Sequence, residues 1–381
     1  MAEGKRKISL LGYFLRLINL IGIAAIVLAY LSLFISPAKF WIPAFFGLSY
    51  PLWLVLNLYF VFHWIALRRR FFIYPLTAVL LGFSLPSRYV GFGSNVEIAD
   101  TSGSIKILTY NVHDFDYYSQ TYSRGNFAVD AILKLIKKEK PAVLCFQEFY
   151  SNPSREKMNN LKTFMEKGGF PYVAKYKYNR RTSYLFLVIY SKFPIVHDGY
   201  INNAKGNKDI TGIYADMRTP AGLIRVYNTH LNSTQISSEA YLLKEDYDVT
   251  KKKDVKKAAK GAKKIAGRMR AGYEKRALQV DELKQHIEAS PYPVILAGDF
   301  NDTPCSYSYQ RLTRSLDDSF MECGKGFSTT YDGIYPSFRI DYVLHDDNFR
   351  AIKYKRIKVK ASDHYPVSAV LLPLKSKDDG Q

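Results

Sequence analysis

Acidic side chains are what this chain most conspicuously lacks: 34 Asp and Glu stand against 54 Lys and Arg, a formal net charge of +20. That deficit favours phosphate-rich partners, either nucleic acid or an anionic membrane face. Cysteine is rarer still. Cys145, Cys305 and Cys323 are the only three, and none has CxxC spacing. A zinc ribbon and a disulfide framework are therefore excluded, leaving one bridge, between Cys305 and Cys323, to consider. No internal repeat is visible, and no small-x-small cleavage site follows the first apolar run, so Lys5-Arg6-Lys7 does not introduce a removable signal peptide. What is abundant is apolar: 48% of residues, with 30 Tyr and 24 Phe, enough for a core and against disorder outside the tails. The 381 residues allow one large domain or two ordinary ones.

The apolar residues crowd the beginning of the chain. Leu17 to Ile35 is interrupted only by Asn19 and Ser32, and at ~1.5 Å per residue it can cross ~28 Å. Phe40 to Leu67 is longer, with Trp41, Trp53, Tyr59 and Trp64 placed as interfacial anchors. A third run, Phe71 to Leu85, contains Pro75 and can extend through Val90 and Phe92. The expectation is an α-helical transmembrane anchor of about three helices over residues 1–92. Lys5, Arg6, Lys7, Arg16 and Arg68-Arg69-Arg70 flank these runs, while the loop between the first two carries only Lys39. The positive-inside rule then puts both basic clusters in the cytoplasm and, after three spans, the remainder on the extracytoplasmic side of a cell or inner membrane. A polar linker follows at 93–103, then a domain at 104–373 with a basic helical insertion at about 233–272, and a polar tail at 374–381.

In that domain, short apolar strands repeatedly end on a polar residue. Ile105 to Asn111 alternates; Ala142 to Glu148 is a buried strand; the hairpin 213–217 and 223–228 delivers Thr-His-Leu (229–231). Val294 to Ala297 stops at Gly298 and presents Asp299 and Asn301, two residues apart on extended chain. Arg339 to Leu344 carries Asp341, and Asp363-His364 precedes a last strand, Tyr365 to Leu372. Helical periodicity marks 124–138 and 154–167. Singly, each Asn or Asp after a strand is most often a turn former, and His230 on an apolar strand is more often structural. Glu148 at a buried edge and Asp341 inside a strand are harder to dismiss, since a buried acid needs a partner. Together the set suits phosphoester chemistry. Glu148, Asp363 and Asn111 are oxygen donors for a hard cation. Asp299 and Asn301 suit an attacking water, and His230 and His364 suit phosphate oxygens, with Asp341 available to hold one histidine charged.

Tyr-Asn-Val (110–112), Gln-Glu (147–148), Tyr-Ser-Lys-Phe-Pro-Ile (190–195), Thr-His-Leu (229–231), Gly-Asp-Phe-Asn (298–301), Ile-Asp-Tyr-Val (340–343) and Ser-Asp-His-Tyr-Pro-Val (362–367) resemble, in this order, the endonuclease/exonuclease/phosphatase superfamily. The resemblance implies a four-layered αββα sandwich of the deoxyribonuclease I type and hydrolysis of phosphoesters with Mg²⁺, for which Mn²⁺ can substitute. It places Asn111, Glu148 and Asp363 at the metal, Asp299 on the nucleophile, Asn301 on the phosphate and Asp341 behind His364. His230 matches the second histidine of the deoxyribonuclease, sphingomyelinase and inositol-phosphatase branches, which points away from abasic-site repair.

Lys251 to Arg276 departs from that pattern. It holds twelve Lys and Arg against Asp254 and Glu274, half of the whole surplus. Val255, Ala258, Ala262, Ile265 and Met269 give it a thin helical seam. It reads as a solvated basic helix, or as one that contacts an anionic surface of nucleic acid or lipid. The expectation is a membrane-anchored, monomeric phosphodiesterase acting on nucleic acid. A lipid or headgroup phosphodiesterase is the alternative, and a non-catalytic phosphate-binding module is the reading least supported.

Overall fold

A computed structural model of the chain describes residues 10–93, 101, 103–116, 122–178, 184–202, 210–233, 252–332 and 338–374. Lys5 to Lys7, most of the expected linker, the stretch 234–251 and the tail beyond Leu374 lie outside the described residues.

Two six-stranded sheets share one plan. In the first, Ile105–Asn111 and Val143–Tyr150 run parallel at the centre, Asn111 opposite Gln147. Antiparallel neighbours extend it, Val367–Pro373 and Phe349–Arg356 on one side, Leu185–Ser191 and Tyr172–Lys177 on the other. In the second, Gly222–His230 and Val294–Asp299 are the parallel pair, His230 opposite Asp299. Ile210–Thr219 and Ile195–Asn202 extend it one way, Asp341–His345 and Asp317–Asp318 the other. Each parallel pair thus ends, at its carboxyl end, on a pair of polar residues.

Period-two alternation decides the layers. Ile105, Ile107, Val143, Cys145 and Ile189 of the first sheet meet Ile213, Val226, Ile295, Ala297 and Val343 of the second in one buried cluster. Their alternates turn outward. Leu108, Tyr110, Leu144 and Phe146 pack under Ile132, Leu133, Ile136 and Phe164 of the helices Tyr122–Glu139 and Asn160–Gly168. Tyr227, Leu296, Tyr342 and Leu344 pack under Val280, Leu283 and Ile287 of the 37-residue helix Lys252–Glu288. Helix, sheet, sheet, helix is the four-layered αββα order expected. The helix expected from Ser154 starts later, at Asn160, because the Asn159 side chain caps it by accepting from Lys162 N. The basic stretch and the core helix after it form one continuous helix. All three cysteines are buried and free, so the bridge between Cys305 and Cys323 is not made.

Arg339 and Asp318, 2% and 3% exposed, pair at 2.7 Å, and Tyr309 also donates to Asp318 at 2.7 Å. An Arg339→Met variant leaves that carboxylate buried without its cation. It is expected to lose about 3–5 kcal/mol of stability in urea titrations of the solubilised protein, and a loss within the error of the titration would contradict this.

At the beginning of the chain, Leu10–Leu31 is one helix long and apolar enough to cross a membrane. The expected second span is broken. Ile42–Leu48 and Tyr50–Ala66 meet at a 72° bend at Ser49, where Pro51 in the first turn of the second helix cannot donate back into the first. The expected third span is shorter than anticipated: a helix Ile73–Leu81 follows the turn Arg70–Phe72, and twelve residues reach only ~18 Å. These helices pack through polar groups, Trp64 Nε1 donating to Asn19 Oδ1 and Asn57 Nδ2 to Gly22 O, both at 2.9 Å. Leu52, Val55 and Phe62 remain 61–68% exposed on their outer face.

They also dock on the domain. Ser32 Oγ donates to Cys305 O at 3.1 Å, Cys305 N to Tyr89 Oη at 3.2 Å, and Arg88 to Pro304 O at 3.2 Å. Gly47 is required here, since a Cβ on it would stand 2.4 Å from Cys305 O.

Candidate active site

The carboxyl ends of the two parallel strand pairs face one another, and Asp299 sits at their junction with no exposure. The chain reaches it through Gly298, whose φ of +144° and 2.1 Å clearance to Thr229 O leave no room for a side chain. Four of the expected residues converge on one oxygen, Asp299 Oδ2. Asn111 Nδ2 donates to it at 3.0 Å and Asn301 Nδ2 at 3.2 Å. His230 Nε2 lies 3.6 Å away and His364 Nε2 3.8 Å.

Two residues of the site have unusual backbone. Glu148 adopts φ 51° and Asn301 φ 50°, the left-handed region that non-glycine residues enter only when the surroundings hold them there. At Glu148 the cause is a bulge: the register against Leu185–Ser191 shifts between Phe146 and Phe149. The bulge turns the carboxylate to within 3.3 Å of Asn111 Nδ2 and 3.5 Å of His230 Nε2. Asn301 is therefore not on extended chain after Asp299, as its spacing implied. It folds back, its N–H donating to Asp299 Oδ1 at 2.8 Å and its side-chain amide to Leu231 O at 2.9 Å.

The histidines are held from behind. His364 Nδ1 meets Asp341 Oδ2 at 2.9 Å, and Asp341 N donates to Thr330 Oγ1. Burial opposes charge on His364, but Asp341 and Asp299 outweigh it and raise its pKa to about 10. Asp299 is raised as well: burial, then the charge of Asp341, push it up to about 6. His230 Nδ1 shares a 2.8 Å hydrogen bond with Tyr178 Oη, while its buried Nε2 has no hydrogen-bond partner.

Asp363 lies beside this hub rather than in it, on the turn where Ser362 Oγ bonds both Asn111 O at 2.8 Å and Asp363 Oδ1 at 3.3 Å. His113 reports its nearness to Glu148. Burial disfavours charge on that imidazole, yet Asp363, Glu148 and Asp114 outweigh it and raise its pKa. Burial would likewise raise Glu148, but His230, His113 and the Asn111 amide hold it below the usual carboxylate range. Carboxylate and amide oxygens are the donors a hard cation takes; among the described residues, Asp299, Asp341 and His364 form one group with ligand atoms within 4.8 Å of one another, and His113, Asp114 and Asp116 another.

Tyr178, His113 and Tyr331, whose ring lies 5.1 Å from that of His364, border the site and were not anticipated. His113 follows Asn111 closely enough to have been considered; Tyr178 and Tyr331 come from loops with no local signal.

The sequence model of the Endonuclease/Exonuclease/phosphatase family matches residues 108–364, and that of a domain of unknown function matches residues 12–89. No curated protein matches the chain. Among solved structures, the human Nocturnin catalytic domain with bound sulfate is similar at 14% identity and a TM-score of 0.50, covering 72% of this chain and 97% of its own. A humanized D. rerio TDP2 is similar at 13% identity and a TM-score of 0.50, covering 71% and 99%. At these identities the likeness is one of fold.

Proposed function

Since the chain belongs to the endonuclease/exonuclease/phosphatase family and is thereby a phosphoesterase, we propose that it hydrolyses a phosphodiester at the Asp299 hub with a divalent cation, Mg²⁺ or Mn²⁺. The supporting observation is the convergence of Asn111, Asn301, His230 and His364 on Asp299 Oδ2 within 3.8 Å.

In this reading Glu148 and Asp363, with Asn111 beside them, hold the cation. When bound, it supplies Lewis-acid polarisation of the phosphoryl oxygen and offsets the charge developing there. Asp299, ionised and fixed by two amides, orients an in-line water and accepts its proton. His364, kept charged by Asp341, donates to a phosphoryl oxygen, and the unpartnered Nε2 of His230 donates to a second one. Asn301 holds the carboxylate rather than reaching the phosphate directly.

The reading is tested with a soluble aryl phosphodiester. Turnover is expected with Mg²⁺ or Mn²⁺, to vanish in EDTA and to return on adding metal. Turnover of the same size in EDTA would overturn it.

The protein is proposed to be membrane-anchored through Leu10–Leu31 and the helices after it, with the domain extracytoplasmic. Arg16 packs over Phe71, beside Arg68 to Arg70, at the end of the bundle opposite Cys305, in keeping with the positive-inside rule. The basic surplus favours nucleic acid as the substrate. A lipid or its headgroup is a second reading, favoured by one observation: Asn301 is four residues from the anchor contact at Cys305, at most ~14 Å of chain. A panel of DNA, RNA, phospholipid vesicles and inositol phosphates separates the two. Nucleic-acid turnover would fall steeply with salt, whereas a lipid enzyme would cleave vesicles and leave DNA intact.

A further inference from the structure

We infer that the basic stripe of the long helix, Lys260, Lys263, Lys264 and Arg270, is a docking surface for the anionic headgroups of the bilayer that holds the anchor. The inference rests on the anchored reading given above.

Two contacts place the helix against the anchor. The Arg270 guanidinium lies 5.5 Å over the Trp41 ring, and the Tyr273 and Phe45 rings meet edge-on at 5.5 Å. Trp41 and Phe45 belong to the short helix Ile42–Leu48 and its N-cap, between Leu10–Leu31 and Tyr50–Ala66, at the end of the bundle that faces the domain. A tryptophan there stands at headgroup level. From Arg270 toward Lys252 the helix continues for ~27 Å beyond the anchor contact.

Its faces are sharply divided. Gly272, Tyr273 and Arg276 are buried, whereas Lys260, Lys263, Lys264, Gly267 and Arg270 are exposed. At about 100° per residue, Lys263 falls within ~20° of Arg270 around the axis, and Lys260 and Gly267 lie ~60–80° from it. The face that meets Trp41 through Arg270 is therefore the face that carries Lys260 and Lys263, with Lys264 at its edge, ~120° round the axis from Arg270. The stripe presents no large apolar side chain, so contact is electrostatic, each lysine contributing a severalfold preference for anionic lipid. On this account these four cations serve the membrane rather than nucleic acid.

Gly267 provides the probe position, since a Cβ there meets nothing within 4 Å, and the native cysteines are buried, so Gly267→Cys can be labelled selectively. The labelled full chain is placed in nanodiscs carrying a headgroup-level quencher, either wholly zwitterionic or one-third phosphatidylglycerol. Quenching is expected to be at least about threefold greater in the anionic discs, and to be lost at high salt and in a Lys260→Glu/Lys263→Glu/Lys264→Glu variant. Equal quenching in both discs, or none, overturns the inference. So does relief of quenching by duplex DNA, which would make the stripe a nucleic-acid grip. A chain that elutes free of discs overturns anchoring and this inference with it. Loss of catalysis alone, with quenching intact, would fault only the phosphoesterase reading.

Discussion

His364→Ala is expected to lower turnover by at least ~10²-fold while leaving the fold intact, because it removes a charged donor held beside Asp299. The donor's charge depends on Asp341, 2.9 Å away. With the histidine raised to about 10, the sign is clear: the imidazolium form is fully present below the ordinary histidine value of 6.5 and is lost only as pH rises through about 10. Wild-type activity should accordingly hold through neutral pH and fall on the alkaline side near that value. Asp341→Asn keeps the shape and removes the charge, so its alkaline limb should move down toward neutrality. A pH–rate profile of the two proteins decides this. An unmoved limb would mean that Asp341 does not hold the histidine charged.

The second large effect is at Asp299. Asp299→Asn conserves volume and is expected to reduce turnover ~10²–10⁴-fold, the usual contribution of a positioned base. Burial and the charge of Asp341 raise this carboxylate to about 6, so activity should fall as pH drops through that value and the base takes a proton. Circular dichroism of the variant should match that of the wild type, since the amide oxygen can still accept from Asn301 N, and the NH₂ that replaces Oδ2 forfeits the bond from Asn111 without changing the volume. A variant that retains activity would remove Asp299 from the chemistry.

The domain was legible for identifiable reasons. Alternation in Ile105–Asn111 and the apolar run before Asp299 encode strands with one face in each core layer, and the sheets formed as those patterns require. Every residue singled out at a strand end lies in or beside the hub. Local spacing could not give how they get there. The bulge that turns Glu148 inward is a mismatch with a neighbouring strand, and the backward fold of Asn301 is set by Leu231 O from another strand pair. The anchor was read less well. Hydropathy registers apolar composition but not the bend at Ser49, nor how little of 71–85 is helical. Tyr273 on the basic helix meets the anchor through Phe45, a contact that no local pattern marks.

The most direct measurement of the central claim is hydrolysis of a soluble aryl phosphodiester across a Mg²⁺ titration, wild type beside Glu148→Gln. The account predicts that wild-type turnover climbs from nothing in EDTA to a plateau. The Glu148→Gln curve should lie at least about tenfold higher in metal concentration, with a lower plateau, because a ligand carboxylate has lost its charge. Metal-independent turnover in the wild type, or two superimposable curves, would contradict it.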